Sequence, residues 1–81
     1  MSNTCSDWFE INDFQSLIEF QRFVVWIEQQ LNSDFVREIE AKEFYLSPNN
    51  EERWFYCSTN NEIWRLVYPD GPFHGYWGKV T

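Results

Sequence analysis

Residues 61–78 read NEIWRLVYPDGPFHGYWG and hold all three glycines, two of the three prolines and the only histidine of an 81-residue chain. Ile63 to Tyr68 has the composition of a β-strand, and Pro69, which has no backbone N–H to donate, ends it. Asp70-Gly71-Pro72 then predicts a turn. Large aromatic side chains follow among the glycines, so we expect an ordered, packed loop at one end of the fold that serves as the working surface.

Two further strands are predicted on either side of this segment. Arg53 to Ser58 is strand-like and is joined to the next strand by a hairpin turn at 59–61, where asparagines tolerate a positive φ. Tyr76 to Val80 is long enough for a short edge strand. Consecutive strands joined by short turns predict an antiparallel meander.

Residues 35–46 alternate with a period of two, which favours a strand with a bulge near Ala41. The same stretch is rich in Glu, Lys and Ala, so a helix over 36–43 is the alternative. Ser47 to Asn50 is expected to form the turn into the following strand.

A helix is predicted before the strands. Asn12 or Asp13 can cap its first turn, and Asn32-Ser33-Asp34 ends it. At 100° per residue, its apolar side chains form one stripe with two shoulders: Leu17, Phe20, Val24, Ile27 and Leu31, flanked by Phe14, Ile18 and Val25 and by Phe23.

Trp26 falls among the polar residues on the opposite side of this helix. Either Trp8, Phe9 or Ile11 folds back over it, or Trp26 is an exposed anchor of the kind enriched at protein interfaces.

These elements predict an α+β fold, with one long N-terminal helix packed on a three- to four-stranded antiparallel β-meander. Residues 1–81 form one domain with an arm at 1–11, a helix at 12–32, and the sheet and aromatic loop at 35–81. Aromatic residues make up 21% of the chain and supply the bulk that a small core needs. One helix covers one face of a sheet, so the other face is expected to leave aromatic surface for water, a loop or a partner.

The composition limits the classes of function. A net charge of −7 argues against direct binding of nucleic acid and favours basic partners. The N-terminus lacks the pattern of a signal peptide and no segment is apolar enough to span a membrane, which predicts a cytoplasmic protein without membrane contact. Cys5 and Cys57 lack the spacing of a metal site; two reduced thiols are favoured over one disulfide between arm and sheet.

The sequence gives little support to enzymatic chemistry. His74 has Asp70 four residues before it but no recognisable nucleophile motif, and a loop backbone group is its expected partner. No phosphate-binding loop is present, and we expect neither a metal nor a cofactor. A small enzyme or ligand-binding module centred on Asp70 and His74 stays an alternative.

The segments Trp54-Phe55-Tyr56, Ile63 to Pro69 and His74-Gly75 resemble the C-terminal part of small bacterial immunity proteins of polymorphic-toxin and contact-dependent growth inhibition systems. The resemblance covers about the last third of the chain, and Tyr76-Trp77 stands where one such family tends to a run of glycines. It implies a non-catalytic antitoxin that binds and blocks a co-encoded toxin, often a nuclease. It also implies that four positions define the fold: Trp64, Pro69, His74 and Gly75.

We therefore expect an immunity protein whose acidic groups meet a basic, nuclease-type toxin and whose aromatic side chains anchor the contact. The expected contacts are the loop end, the neighbouring turn and the helix: Glu62, Asp70, Phe73, Tyr76, Trp77, Glu51, Glu52 and Trp26. The alternative is a phage-encoded inhibitor of a host nucleic-acid-handling complex, similar to an anti-CRISPR protein.

Overall fold

The computed structural model, which describes residues 8–47 and 49–80, contains one four-stranded antiparallel sheet whose strands are ordered as in the chain. One helix precedes the sheet. The helix is α1 (Leu17–Gln30), and the strands are β1 (Val36–Ile39), β2 (Glu52–Cys57), β3 (Glu62–Val67) and β4 (Tyr76–Lys79). The α+β class and the antiparallel meander are therefore confirmed.

The helix is shorter than predicted, with 14 residues. Ser16 is its N-cap, with its hydroxyl accepting a backbone N–H of the first turn at 3.1 Å, in place of Asn12 or Asp13. Those two residues belong to the arm, in which Ile11 exchanges two backbone hydrogen bonds of 2.8 and 2.9 Å with Trp77 of β4. Because this pairing holds the arm in an extended conformation, the chain turns before α1 can begin.

The face of α1 that meets the sheet also differs from the prediction. Phe20 and Ile27 are buried as expected, but Leu17, Ile18 and Val25 are exposed. Phe23 is half-buried against the core as predicted, and Trp26, predicted on the polar side, is half-buried there as well. The helix is thus turned toward the side on which the arm lies.

Trp8 of the arm accounts for this rotation. Its ring packs edge-on against Trp26 at a centroid distance of 5.7 Å, against Trp64 at 5.7 Å and against Trp77 at 5.4 Å. Edge-to-face aromatic pairs at such distances contribute about 0.5–1.5 kcal/mol each beyond their buried area. Of the two interpretations of Trp26, the one in which the arm folds back over it is confirmed.

The core lies between α1, the arm and one face of the sheet. Its buried members come from every element: Phe14, Phe20, Ile27, Val36, Phe55, Cys57, Trp64, Leu66 and Trp77. Cys57 is disulfide-bonded, so the favoured prediction of two reduced thiols is wrong. Cys5 and residues 1–7 of the predicted arm lie outside the described residues.

Arg53 of β2 ties the end of α1 to the sheet. Its guanidinium donates to both carboxylate oxygens of Glu38 on β1, at 3.0 and 2.9 Å, and to Glu28 on α1 at 3.1 Å. The hydrogen bonds to Glu38 raise the pKa of Arg53 above its ordinary value. The charge network therefore fixes the helix over the sheet, and Arg53 also donates to the Tyr68 hydroxyl at 3.3 Å, where the 68–74 loop begins.

Residues 35–46 form a strand only at Val36–Ile39, so the helix alternative for 36–43 is wrong and the predicted strand is too long. The following segment, 40–47, has no regular structure and lies across the second face of the sheet through Tyr45, which stacks on Tyr76. The turn at its end is confirmed by the Asn50 N–H bonded to the Ser47 carbonyl at 3.1 Å; Pro48 lies outside the described residues. In the described chain, no helix is both long and apolar enough to cross a membrane.

Candidate functional site

Trp77, predicted to contact a partner, is part of the core and only 1% exposed. Its indole stacks on Trp64 at 5.2 Å and packs against Phe23 at 4.9 Å. The alternation along β4 places it on the helix side of the sheet, opposite Leu66. The prediction that Trp77 anchors a toxin is wrong, since a partner cannot reach this ring.

Glu52 is buried as well, with a side chain that is 1% exposed. One carboxylate oxygen accepts the Tyr45 backbone N–H at 2.8 Å, and the other accepts the Trp54 indole N–H at 2.7 Å. That second oxygen lies 3.1 Å from Arg65 Nε, which makes no hydrogen bond, so the attraction between them is electrostatic. The carboxylate is fully used within the fold, which corrects its assignment as a partner contact.

Arg65 is enclosed with it between two aromatic rings. Its guanidinium carbon lies 5.5 Å from the ring centroid of Tyr45 and 5.4 Å from that of Trp54. Tyr45 belongs to segment 40–47, so this segment buries the ion pair. The second sheet face is therefore covered by a loop of the chain, one of the three possibilities that the sequence left open.

Tyr76 lies on the same sheet face and is half-buried. Its ring occupies the space above Gly78, where a Cβ would collide with it, and stacks on Tyr45 at 4.7 Å with an interplanar angle of 5°. The hydroxyl donates a 2.6 Å hydrogen bond to Glu10 of the arm. Burial and this bond to a carboxylate raise the pKa of Tyr76 to about 12. Tyr76 thus joins arm, sheet and loop.

Glu62 is similarly engaged on the helix side of the sheet. It accepts hydrogen bonds from the Trp64 indole at 3.1 Å, from Asn60 at 3.1 Å and from Lys79 at 3.2 Å. A Glu-x-Trp pattern therefore occurs twice, at 52–54 and 62–64, and in both a strand glutamate accepts the indole N–H two residues on. This spacing was the sequence signal for structural carboxylates, because residues two apart in a strand lie on the same face.

His74 is exposed, and its Nδ1 lies 2.8 Å from a carboxylate oxygen of Asp13. The predicted loop backbone partner is wrong, and Asp70 does not orient the ring either. Asp70 instead closes the turn before it, exchanging two 3.0 Å backbone hydrogen bonds with Phe73. The His74–Asp13 contact links the loop to the segment that leads into α1.

Gly75 is one of the four positions that, according to the sequence resemblance, define the fold. Its φ is +98°, and a Cβ there would lie 3.0 Å from the ring of Phe14 and 3.3 Å from the Val67 carbonyl oxygen. Only glycine fits this close approach without strain. Pro69 is half-buried and forms part of the surface described next.

A groove separates the first half of α1 from the loop that follows β3. It consists of two neighbouring cavities of about 260 and 310 Å³, which share Leu17 and Pro69 in their walls. We call this surface the loop-end groove. The first cavity is lined by Phe14, Gln15, Ser16, Leu17, Pro69, Gly71, Phe73 and His74, and the second by Leu17, Phe20, Gln21, Val24, Tyr68 and Pro69.

No lysine or arginine lines either cavity. Asp13, whose side chain is 62% exposed, and Asp70, also exposed, lie beside lining residues. Glu51, exposed as well, is next to the groove through its backbone carbonyl, which accepts the Tyr68 N–H at 3.0 Å. The loop-end groove is therefore an apolar depression with carboxylates around it.

Of the predicted partner contacts, the structure brings Asp70, Glu51 and Phe73 to this groove. Trp26 lies under Trp8 on the other flank of α1. Leu17 and Val24 line the groove although the helical pattern predicts both for the core; Val24 is half-buried against the core as predicted, whereas Leu17 is exposed. Their signal was the width of the apolar pattern on α1, which exceeds what one buried face needs.

Within the described residues, no group of three or more His, Cys, Asp or Glu side chains could hold a metal ion. The Ser16 hydroxyl, which shares a cavity wall with His74, accepts a backbone N–H of α1 as its N-cap. The geometry of the groove is suited to contact with an apolar and cationic surface.

No family model, curated protein or solved structure matches the chain. The similarity to immunity proteins thus rests on the residues of the last third of the sequence and stays a prediction.

Proposed function

We propose that this chain is a non-catalytic immunity protein that binds and neutralises a basic protein toxin of nuclease type. The observation that carries the proposal is the loop-end groove, whose walls hold no lysine or arginine and whose edge carries Asp13 and Asp70. Apolar walls supply contacts that exclude water, and carboxylates at the edge attract cations and fix the orientation of a partner.

The overall charge supports a basic partner. With a net charge of −7, the chain attracts a cationic protein at long range and raises the rate of encounter. A nuclease presents lysine and arginine to bind phosphate groups. Carboxylates of the inhibitor can occupy the positions that substrate phosphates take, so an acidic surface blocks such an enzyme directly.

We divide the acidic and aromatic residues into those that support the fold and those that contact the toxin. Glu52, Glu62 and Tyr76 are held by partners within the chain and support the sheet. Asp70, Glu51 and Phe73 remain at the groove. We assign the contact with the toxin to these three, with Leu17 and Pro69 as the apolar walls.

Association kinetics with the polypeptide encoded beside this chain test the proposal. The variant Asp70→Lys should lower the association rate constant and flatten its dependence on salt, because a steering charge at the contact is reversed. Asp34→Lys is the matched control, since Asp34 is also exposed but follows the far end of α1. It changes the net charge equally and should have a smaller effect.

Equal rate constants for the two variants would remove the loop-end groove from the contact. Capture of a host nucleic-acid-handling complex in place of the neighbouring polypeptide would replace the immunity proposal by the anti-defence alternative.

A further inference from the structure

Helix α1 carries a second apolar stripe, which faces solvent. Leu17, Ile18 and Val25 are 61%, 62% and 55% exposed, although each is a large aliphatic side chain. Ile18 and Val25 are seven residues apart, which is two helical turns, so they lie on one line along α1. The stripe is separate from the face that Phe20 and Ile27 bury against the sheet.

The stripe and the loop-end groove form one continuous surface. Leu17 belongs to the stripe and to both cavities, and Gln21 and Val24 continue the second cavity along the same side of the helix. Side chains at i, i+4 and i+7 on a helix present a ridge with a groove beside it. A ridge and groove of this kind fit another helix better than an extended peptide.

The charges beside this surface indicate which kind of segment can bind there. Asp13 and Asp70 lie at the groove end, whereas Glu28, toward the other end of α1, is already paired with Arg53 at 3.1 Å. Arg22 is the only base of α1 and, at 100° per residue, lies on the side of the stripe away from the groove. A second copy of the chain would bring another net charge of −7 to this surface, which opposes self-association.

We propose that the partner contributes a basic amphipathic helix, which packs its apolar face along Leu17, Ile18 and Val25 and directs its cations to the carboxylates at the edge. This inference rests on the proposed function in taking the occupant to be a protein. It adds the secondary structure and the chemistry of the segment that docks. It corresponds to recognition of an amphipathic helix in an apolar groove.

The test uses a synthetic amphipathic helix of leucine and lysine as the probe, and the same peptide with glutamate in place of lysine as its control. Binding is measured by fluorescence anisotropy of the labelled peptide and mapped by amide chemical shifts of the full chain. We expect the lysine peptide to bind and to shift amides of α1 and of residues 68–73. The glutamate peptide should not bind.

Variants locate the site. Ile18→Glu and Val25→Glu should each weaken binding of the lysine peptide by about tenfold or more, the change expected when a central apolar contact is lost. Phe9→Glu is the matched control, because Phe9 is 70% exposed but lies on the arm. It should leave the affinity unchanged, and circular dichroism should show all three variants folded, since none of these side chains is buried.

Three results would overturn the inference. They are equal binding of the two peptides, amide shifts confined to residues 42–46, and a dimer of the chain that Ile18→Glu dissociates in sedimentation.

The outcome is separable from that of the proposed function. Binding of the lysine peptide without binding of the neighbouring polypeptide would refute only the immunity proposal, whereas normal binding of that polypeptide by the stripe variants would refute only the docked helix.

Discussion

Replacing Glu52 with glutamine is expected to destabilise the fold strongly, although glutamine has nearly the same shape. One carboxylate oxygen accepts the Tyr45 N–H, and the other accepts the Trp54 indole N–H and faces Arg65. Glutamine has a single acceptor oxygen, so one of those two donors would meet an amide NH₂ group. The charge opposite Arg65, whose side chain is only 11% exposed, would also be lost.

The magnitude follows from these contacts. Removing one member of a buried ion pair costs about 3–5 kcal/mol, and the lost hydrogen bond is part of that cost. The whole stability of a domain of this length is roughly 4–12 kcal/mol. With a urea slope of about 1 kcal/mol per molar for a small domain, a loss of about 3 kcal/mol lowers the unfolding midpoint by about 3 M.

Urea unfolding followed by far-ultraviolet circular dichroism measures this change. Glu51→Gln is the control, because Glu51 is the adjacent glutamate and is exposed. Adding Arg65→Met to Glu52→Gln should restore part of the stability, since the double variant leaves no unpaired buried charge. A Glu52→Gln midpoint equal to that of Glu51→Gln would show that the pair does not support the sheet, and the account of Glu52 would fall.

Two further predictions concern the loop and the arm. Gly75→Ala should lower the free energy of unfolding by about 1–3 kcal/mol, and by more than Gly71→Ala. Both glycines have a positive φ, but only at Gly75 would the added methyl group meet a ring and a carbonyl oxygen. Thermal unfolding of the two variants measures the difference, and an equal loss of stability would contradict the packing at Gly75. Since the pKa of Tyr76 is raised from 10.0 to about 12, its neutral form stabilises the fold fully below pH 10, and this contribution is lost as the pH rises through 12. An ultraviolet titration of tyrosinate should show one late-ionising group that Tyr76→Phe removes and Glu10→Gln shifts to lower pH, and a curve unchanged by Tyr76→Phe would refute the assignment.

The strands and turns could be predicted because their signals are local. Asn61 adopts the positive φ expected of a hairpin asparagine, with φ of 60°. Pro69 follows β3 after one residue, and Gly71 has the positive φ that the Asp70 turn requires. Each of these features depends on neighbours in the sequence and not on the rest of the fold.

The candidate site could be predicted only in part because it depends on contacts between distant segments. Trp8 reaches α1 and turns it, which exposes Ile18 and leaves Leu17 at the groove. Segment 40–47 lies across the second sheet face and buries Glu52. Alternation along the strand predicts the face on which Glu52 lies, but it does not predict what covers that face. Asp70 is exposed, as its predicted place in a turn between Pro69 and Pro72 implies, and its contact with a partner stays a prediction.

The most direct test of the central claim is the growth of cells that express the neighbouring polypeptide together with this chain. If the chain is an immunity protein that acts through the loop-end groove, the natural sequence and Phe9→Glu restore growth, whereas Leu17→Glu, at the wall shared by both cavities, does not. Growth restored equally by Leu17→Glu, or a neighbouring polypeptide that does not impair growth by itself, would contradict the claim.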